Sequence, residues 1–249
     1  MKFTVLTIFP GMFDLFWKHG IVRRAIEGGL IQTSATDIRD YARGRHHVTD
    51  DRPFGGGSGM IMKPEPLAKA IRAARLEMQD ARTILLSPQG ACFDQDKARA
   101  LAHSKALIFI CGRYEGVDER IYCNYVDEEI SIGDFILTGG ELAAMVIIDA
   151  IVRLLPGALG CKDSAVNESF NDNLLEHAHY TRPRTFEGLD VPPVLISGNH
   201  REIEKWRTET TLIRTFLKRP DMLTDRPLSH NEREILKNWR KELDGLIQG

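Results

Sequence analysis

Apolar runs separated by glycine-bearing turns divide the first 155 residues of this chain. Residues 2–9, 83–86, 106–111 and 128–132 are short β-branched or apolar runs with poor alternation, as expected for strands covered on both faces. Between them, residues 12–28, 64–79, 94–102 and 117–125 carry helical spacing. Gly28 and Gly29 supply a stop and Asp94 an N-cap. Residues 30–38 allow a further strand, whereas 41–60 show no period. Residues 141–155 form a helix apolar on nearly every face, which places it between other elements at the centre of the fold. Strands alternating with helices at this spacing predict a mostly parallel α/β sheet.

Beyond Pro156-Gly157 the pattern changes. Residues 158–188 are polar and read as a linker with functional content, with 158–178 expected to be mobile without substrate. Residues 191–196 read as an extended piece. Helices follow over 200–218 and 229–248, the second capped by Ser229. The plan is a domain over 1–157, a linker over 158–188 and a small helical domain over 189–249.

Bulk properties narrow the function. The chain has 249 residues, 43% hydrophobic and 27% charged, with a formal net charge of -2. A general affinity for polyanions is excluded, so any nucleic-acid contact requires a local basic face. No signal peptide or membrane span is legible. Cys92, Cys111, Cys123 and Cys161 are irregularly spaced without a CxxC pair, which points to reduced thiols in a cytoplasmic protein. Adjacent His46 and His47 cannot easily share one ion, and no metal cluster is legible.

Three strands lead into glycine-bearing loops: SPQG (87–90), CGRYEG (111–116) and SIGDFILTGG (131–140). In a parallel sheet, ligands bind outside the carboxyl ends of the strands. None of these is a dinucleotide or P-loop fingerprint, and GGGSG (55–59) lacks the required lysine. The spacing therefore predicts a pocket holding an uncharged heterocycle such as adenosine through backbone groups and apolar side chains. Consecutive Gly139 and Gly140, with Gly133 before them, let the chain come close to something small.

Six motifs in order carry a resemblance over essentially the whole chain: DDRPFGGGSGM (50–60), SPQG, CGRYEGVDER (111–120), SIGDFILTGGEL (131–142), HYTRP (179–183) and VPPVLISGNH (191–200). Together they resemble the bacterial tRNA (guanine-N1)-methyltransferase family. The resemblance implies a SPOUT-class fold: α/β, a mostly parallel sheet with helices on both faces and a C-terminal trefoil knot, followed by a small helical domain. Periodicity itself shows no knot. The knot would form the S-adenosylmethionine site. Leu86, Ser87 and Pro88 would wall the adenine, while Gly112 and Tyr114 give backbone contacts and Glu115 meets the donor amine. The run Ile132, Gly133, Asp134, Phe135, Ile136 and Leu137 completes the site, and Gly139 and Gly140 allow close approach. The family also implies a homodimer with each active site shared between protomers, and a dependence on Mg2+ for which no residue set is legible.

Methylating guanine N1 requires a base for the ring proton and a cation near O6. In the family the base is an aspartate before Ser-Phe; this chain has Glu168-Ser169-Phe170, one methylene longer. Glu168 is the candidate base, and a solvated linker carboxylate is the other reading. Arg153 matches the family's arginine, although Asp149 at i-4 also suits an ion pair. Asp50 is a candidate at the target base. For tRNA, six Lys or Arg (Arg201, Lys205, Arg207, Arg214, Lys218, Arg219) stand against three Glu (202, 204, 209) over 200–219, with Trp206 interleaved. His200, Arg182 and Arg184 are further candidates. The implied reaction is methylation of the guanine immediately 3′ of the anticodon. Alternatives are a ribose 2′-O-methyltransferase of the same class and an RNA-binding homologue without catalysis.

Overall fold

The computed structural model describes residues 1–160, 168–224 and 226–248. It divides into two compact units, Met1–Lys162 and Asp163–Gly249.

In the first unit, β1 (Lys2–Thr7) leads through a 3-10 turn to α1 (Phe13–Phe16), α2 (Gly20–Glu27) and β2 (Gln32–Asp37). The short strands β3 (Asp50–Asp51) and β4 (Ile61–Met62) pair antiparallel, and α3 (Pro64–Glu77) follows. Then come β5 (Arg82–Cys92), α4 (Gln95–Ala102), β6 (Ala106–Cys111), α5 (Glu119–Tyr125), β7 (Glu128–Ser131) and α6 (Glu141–Val152). The main sheet has the order β2-β1-β6-β5-β7, every pair parallel.

Alternate side chains of the strands feed two cores, which explains the continuous apolar runs. Phe3, Val5, Ile84, Phe109 and Ile130 pack with residues of α2, α4 and α6. Leu6, Leu85, Ile108 and Ile110 point the other way and pack with α3 and with Ile121 of α5. Helices therefore cover both faces.

Three local expectations need correction. The helix expected over 12–28 is broken, because Gly20 has φ +63, which a continuous right-handed helix cannot contain. The strand expected to end at residue 86 runs on to Cys92 through a bulge over 87–90. The α6 helix does have an open face: Leu142 and Val146, four residues apart, are 51% and 49% exposed, and Asp149 is exposed beyond them. Its apolar composition hid a stripe that the other elements of the first unit leave open.

The second unit contains α7 (His200–Lys218), α8 (Asp221–Thr224) and α9 (His230–Gln248). Residues 185–188, expected to be linker, join 189–190 in a hairpin of β8 (Thr185–Phe186) and β9 (Leu189–Asp190), turned by Glu187 and Gly188 at positive φ. Residues 193–196 are a 3-10 turn rather than extended, with Pro193 supplying the φ that a first helical position needs. The expected mobility of residues 158–178 falls partly on 161–167, outside the described residues.

Ser229 and Glu232 form a capping box at the start of α9: Glu232 N–H donates to Ser229 Oγ (3.3 Å) and Ser229 N–H donates to Glu232 Oε2 (2.7 Å). Arg226 Nη1 donates to Oε1 at 2.9 Å. Burial by itself would raise the Glu232 carboxyl, but the Ser229 N–H, the Arg226 guanidinium and the Ser229 hydroxyl outweigh it and hold the pKa below its ordinary value. The stabilisation is complete above the unfolded carboxyl pKa of about 4.3 and is lost as pH falls through the folded value. Glu232→Gln is therefore expected to lower the melting temperature near neutrality, with the gap to wild type closing below about pH 4. Thermal melts followed by circular dichroism check this; a gap independent of pH would contradict it.

Candidate functional site

Strands β6, β5 and β7 are neighbours and parallel, so the loops leaving their carboxyl ends converge. The first is the β5 bulge: Leu86 and Ala91 both pair with Ile130, and residues 87–90 loop out between them. Gly90 makes this possible, since a Cβ there would lie 2.4 Å from both Glu129 C and Ile130 N. The second loop turns back at Tyr114 (φ +62) and Gly116 (φ +118). It is stitched to residues 60–62 by Glu115 N–H to Met60 O, Met62 N–H to Gly116 O, and Asp118 N–H to Met62 O. The third ends at Gly140, which caps α6 and donates its N–H to Gly112 O at 3.0 Å.

These loops enclose a cleft of about 460 Å³, within the usual size of small-molecule sites. The lining contains Leu86, Ser87, Pro88, Gly112, Tyr114 and Glu115 from the first two loops. It also contains Ile132, Gly133, Phe135, Ile136, Leu137, Gly139 and Gly140 from the third. Asp134, grouped with them from the sequence, is exposed and does not line the cleft.

The paired glycines are needed for a reason other than ligand approach. A Cβ on Gly139 would lie 2.1 Å from Arg113 Nε, and one on Gly140 would lie 2.8 Å from Cys111 Cα. Both approach other parts of this chain. Nor is the cleft mainly uncharged: Glu115, Glu119 and Glu129 line it. Glu119 lies on α5 and Glu129 on β7, outside the three glycine-bearing loops. The lining cation, Arg113, is held by Glu141 (2.9 Å), whose side chain is 1% exposed. The remaining carboxylates favour a ligand with positive charge.

Arg113 and Glu141 were missed in the sequence because both fall inside motifs read for their glycines. A charged residue opening an otherwise apolar helix was the available signal. Burial pushes the neighbouring Cys111 thiol well up, with Glu141 adding to the shift and Arg113 opposing it. The thiol therefore stays neutral and unreactive. Cys92 and Cys123 are also free thiols, while Cys161 lies outside the described residues.

The remaining candidates lie elsewhere. Asp50 is half-buried in β3, paired with Met62. Arg153 is the half-buried C-cap of α6, its N–H donating to Asp149 O at 3.2 Å. Glu168, in the second unit, lines a shallow hollow of about 320 Å³ with His177, Glu204, Arg207 and Glu232. Arg182, Arg184, His200, Arg201, Lys205 and Arg207 are exposed, Arg207 paired with Glu204 at 2.6 Å. Arg214 differs from them: it is half-buried, and its Nε is shut from solvent without a hydrogen-bond partner. Beside α7, the rings of His177 and Tyr180 lie 6.3 and 6.2 Å from that of Trp206. Among the described residues, no group of three or more His, Cys, Asp or Glu is placed to hold a metal ion. Likewise no helix there is long and apolar enough to cross a membrane.

A parallel sheet with helices on both faces, and an acidic cleft at its carboxyl edge without a phosphate-binding fingerprint, define the α/β class that binds a small organic ligand at the strand ends. Residues 1–225 match the family model described as tRNA (Guanine-1)-methyltransferase TrmD. The chain is 56% identical over 248 residues to a tRNA (guanine-N(1)-)-methyltransferase of Desulfatibacillum aliphaticivorans, covering 100% of this chain and 95% of that one. Proteins of the same name from Syntrophotalea carbinolica (52% identity, 98% of each chain) and Listeria welshimeri (48%, with 96% of this chain and 98% of that one) are also similar. The chain belongs to the tRNA (guanine-1)-methyltransferase family. Membership makes it a methyltransferase enzyme and implies S-adenosylmethionine as methyl donor.

Proposed function

We propose that this chain methylates N1 of the guanine immediately 3′ of the tRNA anticodon, with the β5–β6–β7 cleft as the methyl-donor site. The observation that carries the donor assignment is the cleft's composition. Apolar Leu86, Ile132 and Leu137 suit an adenine, and Glu115, Glu119 and Glu129 suit the cationic ammonium and sulfonium groups. When bound, S-adenosylmethionine supplies an activated methyl group, so the chain needs no nucleophile of its own.

The chain's residues must do the remaining work. Guanine N1 carries a proton at neutral pH and is a poor nucleophile until it leaves. Glu168 takes that proton. Arg153 stabilises the negative charge that moves onto O6, and Asp50 helps hold the target base. The loops around Gly112, Gly133 and Gly140 hold the donor and exclude water. Neutral Cys111, beneath Gly140, does not compete for the methyl group. The family resemblance also implies Mg2+, and among the described residues no group of three or more His, Cys, Asp or Glu marks a place for it.

The same reading takes the strand-end loops as a trefoil knot. The wrap of residues 87–90 over β7 and the Gly140–Gly112 hydrogen bond support it. It also takes the active form as a homodimer with each active site shared between protomers. The exposed Leu142–Val146 stripe of α6 supports this. Residues 1–157 serve as the donor domain, 158–188 as the catalytic linker and 189–249 as a helical tRNA-binding domain, in a cytoplasmic protein.

The exposed cations of α7 and residues 182–184 track tRNA phosphates. Lys205→Ala is expected to weaken tRNA binding about equally across tRNA sequences, and to reduce the slope of log K against log salt by about 1. Filter binding at several salt concentrations checks this; an unchanged slope contradicts it. The activity itself is tested by incubating the protein with tritiated S-adenosylmethionine and unmodified tRNA, then identifying the labelled nucleoside. Labelled 1-methylguanosine supports the proposal. Label in ribose indicates the 2′-O-methyltransferase, and donor binding without label indicates an RNA-binding homologue.

A further inference from the structure

The buried charge at the start of α6 has a role that the methyl-transfer chemistry does not use. Glu141 is at the first position of the helix, where the macrodipole favours a carboxylate. It accepts three kinds of hydrogen bond from two other elements. Thr7 Oγ1, at the end of β1, donates to Oε1 at 2.6 Å. Arg113 Nε donates to Oε2 at 3.0 Å and to Oε1 at 3.2 Å, and Nη2 lies 2.9 Å from Oε2. The guanidinium passes directly over Gly139, which forms an isolated antiparallel bridge with Arg113. Its far side stacks on Phe9, 4.5 Å from the ring centroid. The network thus fastens the end of β1, the 112–116 loop and the 138–140 loop to one another, and both loops line the cleft.

Stability alone is a weak reason for such a group. A buried ion pair is often no better than apolar residues of the same volume, because both ions lose their hydration. What a bidentate guanidinium–carboxylate pair supplies in addition is a fixed distance and orientation. We infer that Thr7, Glu141 and Arg113 are positioning residues for the methyl-donor site, holding the two loops at the separation the donor requires. The inference rests on the reading of the cleft as that site.

Steady-state kinetics with donor varied at saturating tRNA, together with melting curves, test the inference on the full chain. Arg113→Lys keeps the charge but loses the parallel pair of hydrogen bonds, and Glu141→Gln keeps the shape but loses the charge. Each is expected to raise the donor KM about tenfold, the loss of one hydrogen bond to a charged group, with kcat within about threefold of wild type. Because they break one interaction, the double variant should be about as impaired as either single, not a hundredfold. Thr7→Val should raise the donor KM, and Thr7→Ser, which restores the hydroxyl, should bring it back. Wild-type donor KM in folded Arg113→Lys and Thr7→Val protein would overturn the inference, as would equal effects of Thr7→Val and Thr7→Ser. Failure of the wild-type chain to bind S-adenosylmethionine would instead remove the reading of the cleft on which the inference stands.

Discussion

Glu168→Gln is expected to lower kcat for methyl transfer by about 10²–10⁴-fold, the usual contribution of a positioned general base. The amide keeps the size and polarity of the side chain but cannot accept the N1 proton. Donor binding, proposed for the loops of the first unit, should remain close to wild type. Glu168→Asp separates loss of the base from its misplacement. It restores the shorter acid implied by the family resemblance and retains a carboxylate. It should therefore keep measurable turnover even where a shift of about 1 Å costs roughly a hundredfold. Single-turnover assays with saturating donor and tRNA make the comparison. If Glu168→Gln turned over like wild type, Glu168 would be an ordinary surface carboxylate. A ribose methyltransferase, which removes no ring proton, would give that result.

Gly90→Ala should cause the largest loss of stability among single glycine substitutions in the cleft. The added methyl would meet Glu129 C, Ile130 N and Glu129 O at 2.4, 2.4 and 2.6 Å, all backbone atoms of β7. No rotamer change can relieve such a contact. Overpacking of this kind costs about 3 kcal/mol, and at roughly 2–4 °C per kcal/mol the melting temperature should fall by about 6–12 °C. Donor binding should weaken as well, because the displaced bulge carries Ser87 and Pro88 in the cleft lining. Gly11→Ala is the control. Its nearest neighbour would be Asp14 Oδ2 at 3.9 Å, and a change within about 0.5 kcal/mol is expected. Differential scanning calorimetry on the two variants decides the point. Equal melting temperatures would mean that Gly90 does not pack against the β7 backbone.

Much of the α/β framework was legible, because strands covered on both faces leave long apolar runs such as ALIFIC (106–111) and intervening helices leave amphipathic ones. Asp94 was legible as a cap because its carboxylate accepts from Lys97 N–H. The β5 bulge was not. SPQG reads as a loop, and only the pairing of both Leu86 and Ala91 with Ile130 makes it part of a strand. The glycine-rich loops were correctly placed at one cleft, but their glycines answer to Arg113, Cys111 and β7, long-range neighbours that local sequence does not encode. The acidic lining escaped notice for the same reason, since Glu119 and Glu129 join the site only through sheet order. The open face of α6 was hidden by its composition: leucine and valine look alike whether they meet this chain or another surface.

The central claim is that the cleft between the β5, β6 and β7 loops holds the methyl donor. Isothermal titration of the wild-type chain with S-adenosylmethionine tests it without tRNA or turnover. The account predicts saturable heat that disappears when the cleft is preloaded with the demethylated product. Titrations showing neither heat nor saturation would contradict it.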